Sequence, residues 1–296
     1  MRILLVNTYI HAKNHHGMHL MAAAAGAEFT ISMDSSVFAE EWDLVVVPSE
    51  LVPSNLFPKA KRIIYGPQNF ILPTQPWFAN REAFDSRCVY NCLSPWVKTL
   101  YEEVKEFGSF PLPFQCLPFA VDIEKFKPSE QDKPLDCFVY FKHREQSLLV
   151  PVLQALRSLN LTHTVFQYGT YTEDEYLATL QKAKFGIWIG SHESQGFAVQ
   201  EALSTNVPLL VLNATSMFDE YSRDNKQNYT DEKGKYQMKA TSVPYWDSRC
   251  GILVQNFEGD LQTMLQTWST FRPRDYILET LSPEVCIKRF LESEKE

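Results

Sequence analysis

The sequence is short of the features that mark most nucleotide enzymes. It has 11 glycines in 296 residues. None is arranged as the G-x-G-x-x-G turn that carries a dinucleotide pyrophosphate, or as the G-x-x-x-x-G-K-[ST] loop that cradles nucleotide phosphates. A nicotinamide dehydrogenase and a P-loop kinase are therefore disfavoured. There is no D-x-D pair to bridge a diphosphate through a metal ion. Positive charge is not in excess either: 28 Lys and Arg stand against 36 Asp and Glu, a net charge of −8. That argues against a nucleic-acid binder. It also weakens, without removing, peripheral docking on an anionic membrane through a polybasic patch. No apolar run approaches the roughly 20 residues that span a bilayer, so no transmembrane segment is expected. Ile3-Leu4-Leu5-Val6, after Met1-Arg2, is too short for the apolar region of a secretory signal. Cys88, Cys92, Cys116, Cys137, Cys250 and Cys286 are scattered and complete no zinc set with histidine. Reduced, buried thiols in a cytoplasmic protein are expected. The sequons at Asn160, Asn213 and Asn228 then carry no weight. No repeat of 20–50 residues points to a solenoid.

What is present is ordinary globular material, 45% apolar and 22% charged, enough for two domains of about 100–150 residues. The first part alternates β-branched runs with polar or helical stretches. The runs are Arg2–Asn7, Glu28–Met33, Trp42–Pro48, Arg62–Tyr65, Cys88–Leu93 and Gln115–Phe119. Helical stretches fall at Met18–Ala25 and Trp96–Phe107, the latter stopping at Gly108. Runs such as Leu44-Val45-Val46-Val47 suit strands covered on both faces, as in a parallel sheet. Asp122–Leu135, with Pro128, Pro134 and many charges, reads as a linker. The alternation then restarts, with strands at Cys137–Phe141, Thr164–Tyr168, Phe185–Ile189, Pro208–Leu212 and Ile252–Val254 and helices between and after them. Two α/β units are expected, residues 1–127 and 128–296, with a cleft where strand C-terminal ends face each other.

The most informative segment is Ile187-Trp188-Ile189-Gly190-Ser191-His192-Glu193-Ser194-Gln195-Gly196-Phe197-Ala198-Val199-Gln200-Glu201-Ala202-Leu203. A buried strand ends at Gly190, a polar loop follows, and a helix opens near Gly196. The first backbone amides of a helix and the positive end of its dipole suit phosphate oxygens. Gly196 permits close approach, and Ser194 is the expected cap. Glu193 precedes the helix and Glu201 lies inside it. Each carboxylate is able to accept two hydroxyl hydrogen bonds and so clamp a diol. Two Glu at this spacing are common on solvated helices, so the setting gives the pair its meaning. Lys142 and Arg144, at the end of the first strand after the linker, suit the neutralisation of a departing diphosphate. Tyr168-Gly169-Thr170-Tyr171 follows the next strand, with an aromatic and backbone amides for a base, or simply a turn.

On these residues the chain resembles the retaining E-x7-E glycosyltransferases of the GT-B fold (glycosyltransferase family four and its relatives). The match is Glu193 with Glu201, the Gly190-Ser191 start, the Glu201-Ala202-Leu203 helix and the following Val207-Pro208-Leu209-Leu210-Val211. The resemblance implies an α/β protein of two Rossmann-like domains, an N-terminal acceptor domain and a C-terminal nucleotide-sugar domain whose last helix crosses back, opened by Ser282-Pro283-Glu284. It implies transfer of a sugar from a nucleoside diphosphate, UDP- or GDP-linked, to a glycan or other hydroxyl, with retention of configuration and no metal or other cofactor. Glu193 would face the donor sugar and Glu201 the ribose. Lys142 and Arg144 would stabilise the leaving group, although the family spaces these cations more widely. Ser191, His192, Ser194, Gln195, Gly196 and Phe197 would line the donor, with Tyr168, Gly169 and Tyr171 near the base.

In the first half His11, His15, His16 and His19 surround Gly17 in a loop expected over Thr8–His19, where the family often has a glycine-rich turn. No acidic or Cys neighbour in the sequence supports a metal there. His16, Gly17, Asn69 and Ser94 are the candidates for acceptor binding, with turn and cap roles as the plain alternative. Two rivals stand beside the transferase: a sugar-nucleotide epimerase (or phosphorylase) of similar fold, and a non-catalytic nucleotide-sugar-binding subunit.

Overall fold

The computed structural model describes residues 1–68, 80–103, 110–216, 219 and 239–292. Among them the chain forms two units, Met1–Asp122 with the C-terminal segment from Thr280, and Ile123–Glu279. The divide falls at the start of the expected linker, ahead of residue 127, and again inside a C-terminal helix.

Unit 1 is built on strands β1 (Arg2–Val6), β2 (Glu28–Ser32), β3 (Leu44–Val47), β4 (Ile63–Tyr65), β5 (Cys88–Asn91) and β6 (Phe114–Gln115). They pair in parallel in the order β2-β1-β3-β4-β5-β6. The apolar runs of β1, β3 and β4 are fully buried, as expected of strands covered on both faces. The last strand lies at Phe114–Gln115, ahead of the Gln115–Phe119 run that the sequence suggests.

A larger correction concerns the histidine segment. It is helical: α1 covers Ala12–Ala24, with the His11 side chain accepting from the Lys13 amide at its N-cap. Asn14, Gly17, Met18 and Met21 form its buried stripe, the i, i+3, i+4, i+7 pattern of a packed helix face. A Cβ on Gly17 would lie 2.9 Å from the Ala120 carbonyl oxygen. Gly17 therefore lets α1 pack against the 119–120 backbone. In the sequence, three histidines and an asparagine mask the apolar period of α1's first turns.

Short α2 (Ser35–Phe38), capped by Asp34, and α3 (Pro95–Glu103) complete the first part of the unit.

Unit 2 has β7 (Leu135–Phe141), β8 (His163–Gln167), β9 (Ala183–Ile189), β10 (Leu209–Val211) and β11 (Gly251–Leu253), parallel in the order β11-β10-β9-β7-β8. Its helices are α4 (Gln146–Ser158), α5 (Glu173–Leu180), α6 (Phe197–Ser204), α7 (Phe257–Thr267) and α8 (Pro273–Leu281). Alternate residues of the strands sort into two layers. Cys137, Val139, Phe141, Phe185, Ile187 and Ile189 pack with α4 and α7. On the other face Phe138 and Tyr140 meet Tyr176 of α5, Tyr140 stacks on Trp188, and Tyr171 meets both Tyr140 and Tyr176. Arg274 of α8 donates to the Ile123, Phe126 and Ser204 carbonyls and pins the start of the unit to the end of α6.

The final helix α9 (Pro283–Leu291) begins at the Ser282 cap with Pro283 in its first turn, and belongs to unit 1, where it packs on α1 and Phe290 meets Phe119. All six cysteines are free thiols. Burial pushes those of Cys137 and Cys250 up to about 12. Among the described residues no helix is long and apolar enough to cross a membrane.

Candidate functional site

In unit 2, β7 pairs with both β8 and β9, so the chain order reverses about β7. Open parallel sheets bind ligands outside the strand C-termini at such a switch point. Register decides what gathers there. Phe141 of β7 stands opposite Ile189 of β9 and Gln167 of β8. The next residues along, Lys142, Gly190 and Tyr168, therefore leave three adjacent strand ends together. The Lys142 amide donates to Ile189 and the Tyr168 amide to Phe141, extending the ladder by one residue.

The side chains converge. Lys142 Nζ lies 2.8 Å from Glu193 Oε1, with the two side chains only 14% and 15% exposed. The same ammonium sits 4.6 Å from the centre of the Tyr168 ring. Burial by itself would lower the Lys142 pKa, but the charge and hydrogen bond of Glu193 more than offset it, and the net direction is upward. The ammonium is charged throughout the physiological range.

Arg144 behaves differently. Its Nη1 donates to the Gly190 and Leu212 carbonyls, at 2.9 and 3.1 Å, tying the exits of β9 and β10. Its buried Nε has no hydrogen-bond partner among the described residues. Burial moves its pKa downward against the nearby carboxylates of Asp219 and Glu145. The geometry thus gives Arg144 a bracing contact and leaves Lys142 as the cation beside Glu193.

The loop from Gly190 to Gly196 is held from below and beside. A Cβ on Gly190 would lie 2.3 Å from Trp188 Nε1, so the indole occupies the space a side chain would need. Trp188 stacks on Tyr140 with ring centres 3.9 Å apart. The Glu193 amide donates to the Thr241 carbonyl, and Ser242 Oγ bonds both Gly190 and Ala214. Asn213 Oδ1 accepts from Thr241 and Ser242.

The helix start also differs in detail from expectation. Gly196, not Ser194, is the N-cap of α6, in the left-handed region at φ 84°, and no side chain caps the helix. Only glycine adopts that conformation without strain. Gly196 has no side chain to cap the first amides of α6, and a helix start of this kind suits an anion. Gln195 and Gln200 bond one another, so the Gln195 side chain is folded onto α6. Gln195, Ser191 and Glu201 are buried, while His192, Ser194 and Phe197 are half-buried.

Glu201 follows one turn inside α6. Burial foremost raises the Tyr171 hydroxyl's pKa, with Glu201 and Glu193 adding to it and the Tyr140 hydrogen bond and Lys142 opposing. Tyr171, whose hydroxyl donates to Tyr140, is thus within electrostatic reach of both glutamates. Gly169 has a positive φ of 79° in the tight turn closed by Thr170 on Gln167. The donor-side residues named from the sequence therefore fall around the ends of β7, β8 and β9 and the start of α6.

The acceptor-side candidates do not group in the same way. His16 Nε2 lies 2.8 Å from Asp122 Oδ2, on the surface of unit 1. Gly17 is enclosed where α1 packs against residues 119–120. Ser94 is fully buried, and its hydroxyl has no hydrogen-bond partner among the described residues. Asn69 lies outside the described residues.

Sequence reasoning did not find Asn213, Thr241 and Ser242. Nothing local marks them, because only the fold brings the 239–243 run beside Gly190. Among the described residues no group of three or more His, Cys, Asp or Glu stands ready for a metal ion.

No protein-family model matches the chain, and no curated protein sequence does. Solved structures do match. The apo form of the lipopolysaccharide outer core galactosyltransferase WaaB aligns over 98% of this chain and 98% of its own, at 12% identity and a TM-score of 0.56. A sucrose-phosphate synthase from Thermosynechococcus elongatus aligns over 97% and 96%, at 9% identity and a TM-score of 0.51. Both neighbours are GT-B glycosyltransferases. The fold is therefore α/β of the GT-B type, two Rossmann-like units with parallel sheets of six and five strands.

Proposed function

We propose that the chain is a glycosyltransferase that takes a sugar from a nucleoside diphosphate, UDP- or GDP-linked, and places it on a hydroxyl of a glycan or other acceptor. The observation that carries this reading is the meeting of Lys142 and Glu193 beside the uncapped start of α6, at the switch point of a GT-B donor-type unit. An anion at the α6 amides would have the Lys142 ammonium as its nearest cation. Glu193 supplies a carboxylate for sugar hydroxyls, and Glu201 one for the ribose. Tyr168 and Tyr171 frame the side where a base would lie. Arg144 keeps the loop carbonyls in place, a bracing role in addition to the phosphate contact that the family resemblance assigns it.

In this reading unit 2 binds the donor and unit 1 the acceptor, and neither metal nor organic cofactor takes part. Retention of configuration follows from the E-x7-E resemblance. The cytoplasmic assignment rests on the six free thiols.

The test is a thermal-shift screen with UDP-, GDP- and dTDP-sugars, followed by turnover with the best donor and product analysis by NMR. A saturating donor is expected to raise the melting temperature, since a ligand of the folded state stabilises it. NMR is expected to show the sugar leaving the nucleotide with its anomeric configuration kept, in EDTA as well as without it. Epimerised donor, or binding without any turnover, would instead select one of the rival readings.

A further inference from the structure

We infer that Glu193 is an internal counter-ion for Lys142 that has to leave the ammonium when a diphosphate arrives. This rests on the reading above, that the site takes nucleoside diphosphates. Both cations expected to meet the leaving group are already engaged in the ligand-free protein. Arg144 holds the Gly190 and Leu212 carbonyls. Lys142 holds Glu193 at 2.8 Å. A diphosphate at the start of α6 brings further negative charge to a place where one ammonium is matched by one carboxylate. Two anions sharing one ammonium in a poorly solvated site repel each other.

The geometry indicates which partner yields. The Lys142 backbone is bonded to β9 and its ammonium lies over the Tyr168 ring. The Glu193 amide donates to the Thr241 carbonyl, so its backbone is held as well. Side-chain rotation takes its carboxylate off the ammonium. Rotation frees it for the sugar hydroxyls that the proposed function gives it. A complete sugar nucleotide then compensates the carboxylate for the ammonium it has lost, whereas a bare nucleoside diphosphate does not. Glu193 thereby favours donor over spent nucleotide, and would assist release of the diphosphate after transfer.

The experiment is titration calorimetry of UDP, GDP and their glucose or mannose esters against the wild-type chain, Glu193→Gln, Lys142→Gln and the double variant. Glu193→Gln keeps the shape and removes the charge. It should bind the bare diphosphate roughly tenfold more tightly than wild type, the size of a partly buried ion pair no longer opposing it. Its affinity for the sugar nucleotide should not rise. In the Lys142→Gln background the same change should alter diphosphate affinity by less than about twofold, because the competition has gone. Glu193→Asp, too short to reach Lys142 in the same way, should shift in the same direction as Glu193→Gln and serves if that variant does not fold. Equal or weaker diphosphate binding by both Glu193 variants, with wild type binding normally, overturns the inference alone. No binding of any nucleotide by the folded wild-type protein overturns the functional reading on which it rests.

Discussion

Each unit carries one short ion pair near its candidate site, and the two pairs have the same length with different settings. Lys142–Glu193 and His16–Asp122 both measure 2.8 Å. The first has side chains 14% and 15% exposed, stands at the sheet's switch point, and has an aromatic ring under its ammonium. In the second the His16 side chain is 53% exposed on the outer part of α1, and its charge depends on protonation. Distance alone therefore does not rank them. Water screens the exposed pair, where measured contributions are small, while the enclosed pair sets the charge state of its surroundings. Chemistry is expected of the pair that is largely shielded from water.

Four variants bear on this contrast. Lys142→Met strikes the enclosed pair. It should weaken binding of the preferred sugar nucleotide roughly 30-fold or more, since it takes the ammonium from a partly buried carboxylate and leaves a phosphate without its cation; calorimetry reads it. Gly190→Ala leaves every charge in place and forces a methyl into the Trp188 indole, 2.3 Å from Nε1. It should cost about 1–3 kcal/mol in denaturant unfolding and reduce donor binding by displacing the loop, which separates position from charge.

Lys133 supplies a titration outside both pairs. Burial lowers its pKa from the ordinary 10.5 to about 8. The unfolded chain therefore holds that proton over a range in which the folded chain has lost it, so stability due to this group rises with pH from about 8 to 10. Lys133→Met should abolish this rise, seen as a narrowing gap between the two melting curves as pH increases. Asp122→Asn should do least. Removing the exposed pair's charge should change stability by less than about 1 kcal/mol and leave donor affinity in unit 2 unchanged. A large loss of donor affinity there would break the contrast.

The fold was legible wherever apolar runs were unmixed. Leu44–Val47 and Phe185–Ile189 read as covered strands and are strands. The helix expected to open near Gly196 does so, as Phe197–Ser204, because Gly196 before it and the polar Thr205-Asn206 after it mark both ends. The first turns of α1 were not legible, since Asn14 and Gly17 supply buried positions that no hydropathy pattern counts. Short α2 and α8 were also missed, one too brief for a period and the other opening on Pro273-Arg274-Asp275.

At the candidate site, the closeness of Lys142 and Glu193 could be suspected from strand ends but not measured. It depends on the Phe141–Ile189 register. The bracing role of Arg144 was beyond the sequence, because its partners are carbonyls of residues far along the chain. The supports at Asn213, Thr241 and Ser242 come from segments joined through the 217–238 region, and chain distance hides them.

The central claim is that unit 2 activates a nucleoside diphosphate sugar through Glu193. Its most direct test is release of nucleoside diphosphate from the best-binding sugar nucleotide, measured for wild type and Glu193→Gln at saturating donor. The account predicts measurable release by wild type and a fall of about 100-fold or more in the variant, with the sugar nucleotide still bound. Equal rates in the two proteins, or no release from any donor that binds wild type, would contradict it.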